Sequence, residues 1–170
     1  MDLTKNEMVA TLVFPIHNNS ILLAQKTKKI GIGKWNGWGG EVEKNEKIKD
    51  AAVRELRDES GLSANKENLI YCGMVTFHNQ RDDGSQFSVT VHIFLCYMWS
   101  GMLKVSDEME RPTFIPISRI PYHNMMPADQ HWLPRVLLGK KVCDQYWYSP
   151  NQQRVTRQLI GHLNGESDVE

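Results

Sequence analysis

The sequence predicts an α+β sandwich, a β-sheet with helices packed on it. Three observations carry this. Runs rich in β-branched and aromatic residues recur along the chain, a few segments have helical apolar spacing, and strands follow strands without regular alternation with helices. At 170 residues the chain fits one domain spanning 1–170, large enough to bury a core without disulfides or a structural metal.

The first element is a hairpin. "MVATLVFPI" and "SILLAQK" are apolar runs separated by the turn signal "HNNS", so residues 8–26 read as two strands. Residues 27–40 follow as a loop; "KKIGIGKWNGWGGEV" holds five glycines, which marks backbone that bends sharply or approaches a ligand closely. A helix is predicted over 46–60: Asn45 caps it, Glu46 sits at the positive end of its dipole, and Gly61 supplies a left-handed stop. "LIYCGMVTFHN" and "FSVTVHIFLCYMW" are long strands joined through "RDDGSQ"; in the second, Phe87, Val89, Val91, Ile93, Leu95 and Tyr97 alternate with Ser88, Thr90 and His92. "TFIPI" is a further short strand, "DQHWLPRVLLG" a second helix, and "VCDQYWYS" and "QRVTRQLI" closing strands; the polar last residues are expected to fray.

Composition excludes several functions. Lysine plus arginine and aspartate plus glutamate balance at 20 each, so no net field points to a nucleic-acid polymer or an anionic membrane. Cys72, Cys96 and Cys143 are odd in number, far apart and without C-x-x-C pairing, which argues against a disulfide framework and a zinc site. Reduced thiols, the absence of a signal sequence in "MDLTKNEM" and apolar runs too short for a span predict a cytoplasmic location. His131 and His162 lack a paired ligand at useful spacing, and Ser60 lacks an adjacent base, so neither a metal site nor a serine nucleophile is expected there.

"AAVRELRDESGL", residues 51–62, concentrates charge on one flank of the predicted helix. At roughly 100° per residue, Ile48, Ala52 and Leu56 form the apolar stripe while Glu55, Asp58 and Glu59 fall beside it. Acids three and four residues apart repel one another unless something positive sits among them. A hard divalent cation, Mg²⁺ or Mn²⁺ in its place, meets that need, since it prefers carboxylate oxygen and bridges to phosphate oxygens. The competing reading is a solvated face neutralised by Arg54 and Arg57.

The spacing is more specific than the charge. Gly40, five residues, Glu46, seven residues, Arg54-Glu55-Leu56, one residue, Asp58-Glu59, one residue, Gly61-Leu62 resembles the Nudix box, with aspartate in place of the first of its adjacent glutamates. The resemblance implies the Nudix fold, a mixed sheet packed between helices (an α/β/α sandwich). It implies that Glu55, Asp58 and Glu59 ligate Mg²⁺, with the carbonyl of Gly40 adding an oxygen, and that Glu46 and Arg54 pair to brace loop against helix. It also implies hydrolysis of a phosphoric anhydride, with Glu59 as the first candidate for general base, Glu108 the second, and Arg54 supporting the catalytic group.

The likeness extends over most of the chain and narrows to the mammalian type of MutT-like 8-oxo-dGTP diphosphatases, through "GKWNGWGGEV", "VSDEMERP" and "IPYHNMMPADQHWLP". On that match Asn36 binds the base, Glu108 joins the metal site, and Thr11, Lys26, Phe77, Asp129 and Trp132 line the nucleotide pocket. Each has a rival reading: Phe77 and Trp132 as core aromatics, Lys26 as a solvated cation, Asn36 as a turn former. The family's adjacent aspartates, preceded by Trp-Pro, stand here as Met126-Pro127-Ala128-Asp129, and Ile30 replaces an aromatic. One acid and one stacking ring are thus missing, which predicts looser selectivity among purines. The expected partner is a nucleoside triphosphate, cleaved to monophosphate and pyrophosphate by a monomer, with a dimer left open. Other nucleoside triphosphates, diphosphate-linked nucleotides and non-catalytic nucleotide sensing are the alternatives.

Overall fold

A computed structural model describes residues 6–161, 163 and 168–170. Among these, the elements in chain order are β1 (Glu7–His17), β2 (Ser20–Lys26), β3 (Trp35–Asn36), α1 (Ile48–Ser60), β4 (Leu62–Ser63), β5 (Leu69–Gln80), β6 (Gln86–Cys96), β7 (Ser100–Gly101), β8 (Met109–Pro116), α2 (Asp129–Leu137), β9 (Val142–Tyr148) and β10 (Val155–Leu159). The main sheet runs β10-β9-β5-β6-β1-β2-β3, with β8 also paired to β2, and β4 with β7 forms a small second sheet. β1 with β6 and β5 with β9 are parallel, and the remaining pairs are antiparallel.

Alternation along the strands gives the sheet two apolar faces, each covered by one helix. Trp132, Leu133 and Val136 of α2 pack with Phe14, Val75 and Ile93 on one side. Ala52 and Leu56 of α1 pack with Val13, Leu22, Trp38 and Phe94 on the other. The α+β sandwich expected from the sequence is therefore the architecture observed. Among the described residues, no helix is long and apolar enough to cross a membrane, and all three cysteines are free.

The first hairpin differs from expectation in a way that makes the site. Asn18 and Asn19 adopt φ of 47° and 57°, the left-handed geometry of a tight hairpin turn. Yet β1 and β2 pair only at Ile16↔Ile21 and His17↔Ser20, after which they diverge. β1 instead runs beside β6 from Glu7↔Ser88 to Pro15↔Cys96. The glycine loop fills the gap, bridging Val13↔Trp38 and Ala10↔Glu41. A side chain at Gly39 could not fit there, since its Cβ would stand 1.8 Å from the Thr11 carbonyl oxygen. The expected loop over 27–40 also contributes β3, whose Trp35 and Asn36 pair with Gln25 and Ala24.

The helix expected from residue 46 begins at Ile48, with Lys47 as its N-cap and no side-chain cap. Asn45 does not cap it, because it occupies a turn at φ 66°, and Glu46 is drawn away to the Glu43 N–H and to Arg54. The stop is as expected: Gly61 takes φ 80° and its N–H bonds the Arg57 carbonyl. "TFIPI" proves to be the end of the longer β8. At the C-terminus Asp168 pairs with Lys49 at 2.8 Å and Glu170 with Lys47 at 3.5 Å, which sets residues 168–170 beside the start of α1. The rest of the expected fraying, together with His162, falls outside the described residues.

Candidate active site

The divergence of β1 from β2 brings α1, the glycine loop and the segment before β8 around one cleft of about 700 Å³. Burial of Ala52 and Leu56 fixes the rotation of α1, so Glu55, Asp58 and Glu59 all line this cleft, joined from across it by Glu108. Glu59 is only 8% exposed and accepts the Gly39 N–H at 3.2 Å. Glu55 accepts from Arg54 at 2.5 Å, Asp58 pairs with Arg57 at 3.1 Å, and Glu108 pairs with Lys29 at 2.9 Å. Gly40 lies so close to Glu55 that an added Cβ would sit 2.6 Å from its carboxyl carbon.

Arg54 lines neither this cleft nor the adjoining cavity. Its Nε and Nη2 grip both oxygens of Glu46 at 2.7 and 2.8 Å, Nη2 also reaches the Glu41 carbonyl, and Nη1 holds Glu55. Its contacts are those of a positioning residue, bracing the loop before α1 against the helix and Glu55, as the pairing with Glu46 expected from the sequence requires. The same bonds hold the Glu46 carboxyl below its ordinary range.

As the side chains stand, each acid faces its own donor, and among the described residues no three His, Cys, Asp or Glu groups are placed to hold a metal ion. The donor set nevertheless fits a hard cation. It is all oxygen, Gly40 leaves room beside Glu55, and the acids are under mutual electrostatic stress. Glu59 shows the stress directly: burial, with added repulsion from Glu55 and Glu108, pushes its carboxyl up to about 7 against the Gly39 hydrogen bond. Glu108 is held low by its hydrogen bond to Lys29.

A cavity of about 160 Å³ opens beside the cleft, and Thr11, Lys26, Asn36, Phe77, Asp129 and Trp132 all line it. Lys26, Lys29, Asn36, Gly39 and Gly40 border both spaces, so the two are continuous. Asn36 is oriented by the Gly37 N–H, which its Oδ1 accepts at 2.9 Å. Trp132 donates its indole N–H to Asp129 at 3.2 Å and tilts against Phe14. Burial pushes the Asp129 carboxyl up to about 7 and lowers Lys26. The Thr11 hydroxyl is buried without a hydrogen-bond partner among the described residues. Ala128 is fully buried where an acid would add a second acceptor.

Sequence reasoning missed Lys29, Asn79 and Tyr148, which also line the cavity. Lys29 carries a left-handed φ of 62°, a conformation seldom held by a non-glycine residue without compensation. Asn79 had a signal: it is the one polar residue where β5 alternation through Val75 and Phe77 calls for an apolar one. His131 stacks on Tyr146, and the Ser60 hydroxyl is spent on the Leu56 carbonyl.

The raised acids make a pH prediction. Glu59 and Asp129 ordinarily titrate near 4.5 and 3.8, so between there and about 7 the folded protein keeps protons that the unfolded chain has lost. Stability from these groups is therefore present at acid pH and lost as pH rises to about 7. Glu46 and Glu108, both depressed, lose their contribution only below their ordinary value of 4.5; His92, lowered by burial, acts oppositely below 6.5. Thermal unfolding in chelator, from about pH 5 to about pH 7.5, should show a more negative slope in the wild type than in E59Q/D129N. Equal slopes would show that these carboxyls are not raised.

Fold and site together define a scaffold in which a glycine loop and a helix gather acids around one cleft, and residues 6–136 match the NUDIX domain; the chain belongs to that family. It is 38% identical over 136 residues to the oxidized purine nucleoside triphosphate hydrolase of Mus musculus, covering 80% of this chain and 83% of that one. The Danio rerio protein of the same name is 35% identical over 149 residues, covering 88% and 92%. The fold also matches a MutT protein from Bacillus halodurans with a TM-score of 0.74 at 19% identity, covering 90% and 97% of the two chains.

Proposed function

We propose that this protein hydrolyses oxidised purine nucleoside triphosphates such as 8-oxo-dGTP to the monophosphate and pyrophosphate, using Mg²⁺ or Mn²⁺ in the cytoplasm as a sanitiser of the nucleotide pool. The observation that carries the reading is the continuity of an acid-lined cleft with a mainly apolar cavity, sharing Lys26 and Lys29 at their junction. A purine fills such a cavity, and its phosphates then lie across the acids. The named relatives act on this class of substrate, and their similarity spans most of the chain.

Glu55, Asp58, Glu59, Glu108 and the Gly40 carbonyl would hold the cation. A bound Mg²⁺ supplies charge to offset the phosphates and lowers the pKa of water for in-line attack. Glu59 would be the residue to take up a proton from the attacking water, since it lies innermost among the acids and is fixed by the Gly39 N–H. Lys26 and Lys29 offer cations to the triphosphate, and Asn36, Phe77, Asp129 and Trp132 orient the base. Arg54 holds Glu55 in place.

Ala128 and Met126 favour a second reading of the same chemistry, cleavage with little preference for oxidised bases. Initial rates for 8-oxo-dGTP, dGTP, dATP and their ribose forms, with pyrophosphate and orthophosphate both followed, decide between them. The first reading expects pyrophosphate release and a preference for the oxidised base. Tight nucleotide binding without pyrophosphate release would replace both with a sensor.

A further inference from the structure

β5 turns Phe77 and Asn79 to the side of the base cavity, and the residue opposite Asn79 on β6 is Phe87. Asn79 is 6% exposed, set between this cavity and a more polar groove beside His78, Gln80 and Gln86. Its Nδ2 donates to the Phe77 carbonyl at 3.1 Å, which settles the orientation of the amide, because a flip would set two oxygens against each other. Oδ1 is left as a fixed acceptor with no donor among the described residues. The unpartnered Thr11 hydroxyl also lines this cavity, but a hydroxyl rotates to donate or accept and so discriminates neither. Asn79 presents acceptance alone.

That polarity matches a specific chemical difference. An ordinary purine carries a lone pair at N7, whereas oxidation at C8 to the 8-oxo form places a hydrogen on N7. Asp129 is the remaining acid of the cavity, with Ala128 beside it offering none, so a second fixed acceptor on the sheet side supplies what α2 lacks. We infer that Asn79 selects purines oxidised at C8, its Oδ1 accepting the N7–H of the oxidised base and repelling the N7 lone pair of the ordinary one. The inference rests on the reading of this cavity as the base pocket of a purine nucleotide.

The test uses the monophosphates, so it does not depend on turnover. Binding of 8-oxo-dGMP, dGMP and 7-deaza-dGMP to the full chain is followed by tryptophan fluorescence, for wild type and Asn79→Leu, with thermal unfolding to establish that the variant is folded. Wild type is expected to favour 8-oxo-dGMP over dGMP by about tenfold or more, and Asn79→Leu to reduce that ratio by about tenfold. 7-deaza-dGMP, with C–H in place of the N7 lone pair, should bind wild type more tightly than dGMP and the variant equally. An unchanged ratio in folded Asn79→Leu overturns the role. If the variant does not fold, the wild type decides: 7-deaza-dGMP binding no better than dGMP also overturns it. Failure of every purine monophosphate to bind wild type removes the base-pocket reading and this inference with it, whereas binding without these differences removes the inference alone.

Discussion

Glutamine at position 59 is expected to cut kcat by about a thousandfold or more, while the protein stays folded. Glu59 is the acid of α1 that combines deep burial with a fixed backbone donor, the Gly39 N–H at 3.2 Å. Glutamine has the same shape and retains an oxygen for that bond, so the loop has no reason to move. What it loses is the charge, and with it both the cation ligand and the proton acceptor that the proposed mechanism assigns to Glu59. Because burial and the charges of Glu55 and Glu108 oppose ionisation of Glu59, its neutral replacement should also leave the metal-free protein at least as stable at neutral pH. An inactive variant of undiminished stability is the signature of a functional acid. Asp58→Asn should cost far less, since Asp58 is 53% exposed and already paired with Arg57. Single-turnover rates at saturating Mg²⁺, alongside thermal unfolding, separate these outcomes, and full activity in Glu59→Gln would remove that residue from the mechanism.

Much of this arrangement can be read from local sequence, and the remainder depends on partners that local sequence does not name. The placement of Ala52 and Leu56 inside, and of Glu55, Asp58 and Glu59 on one flank of α1, follows from helical periodicity, and the Gly61 stop follows from its freedom at φ 80°. Alternation likewise marks β5 and β6 as a hairpin. The parallel pairing of β1 with β6 is different in kind: the apolar run of β1 suits several neighbours, and which one it takes depends on residues some eighty positions away. That pairing splays β1 from β2 and opens the gap for the glycine loop, so the position of the site is a tertiary result. The start of α1 was displaced for a similar reason, since Glu46 is more strongly engaged by Arg54 than by the helix dipole. Asn79 was legible only as an anomaly, a polar residue in an apolar register. Its orientation and its cavity appear only once β5, β6 and α2 are assembled around it.

Arg54→Ala should then show how far the acids depend on that assembly. The guanidinium makes a two-pronged pair with Glu46, bonds the Glu41 carbonyl and holds Glu55, so one side chain ties the loop before α1 to the helix itself. Removing it leaves Glu46 and Glu55, with side chains 16% and 17% exposed, without their cation. Breaking a buried pair costs about 3 to 5 kcal/mol, and partial solvent access reduces this to about 2 kcal/mol here. For a domain of this size that lowers Tm by about 6 °C. Activity should fall with it, by about a hundredfold, because Glu55 is no longer held. Arg54→Lys keeps the charge but not the fork, and should recover stability only in part. A double-mutant cycle with Glu46→Gln gives the decisive number: a brace predicts coupling of about 1 to 2 kcal/mol in stability. If instead Arg54→Ala loses activity with Tm unchanged and no coupling to Glu46, the arginine acts on the substrate, and its placement outside both cavities would not describe the working enzyme.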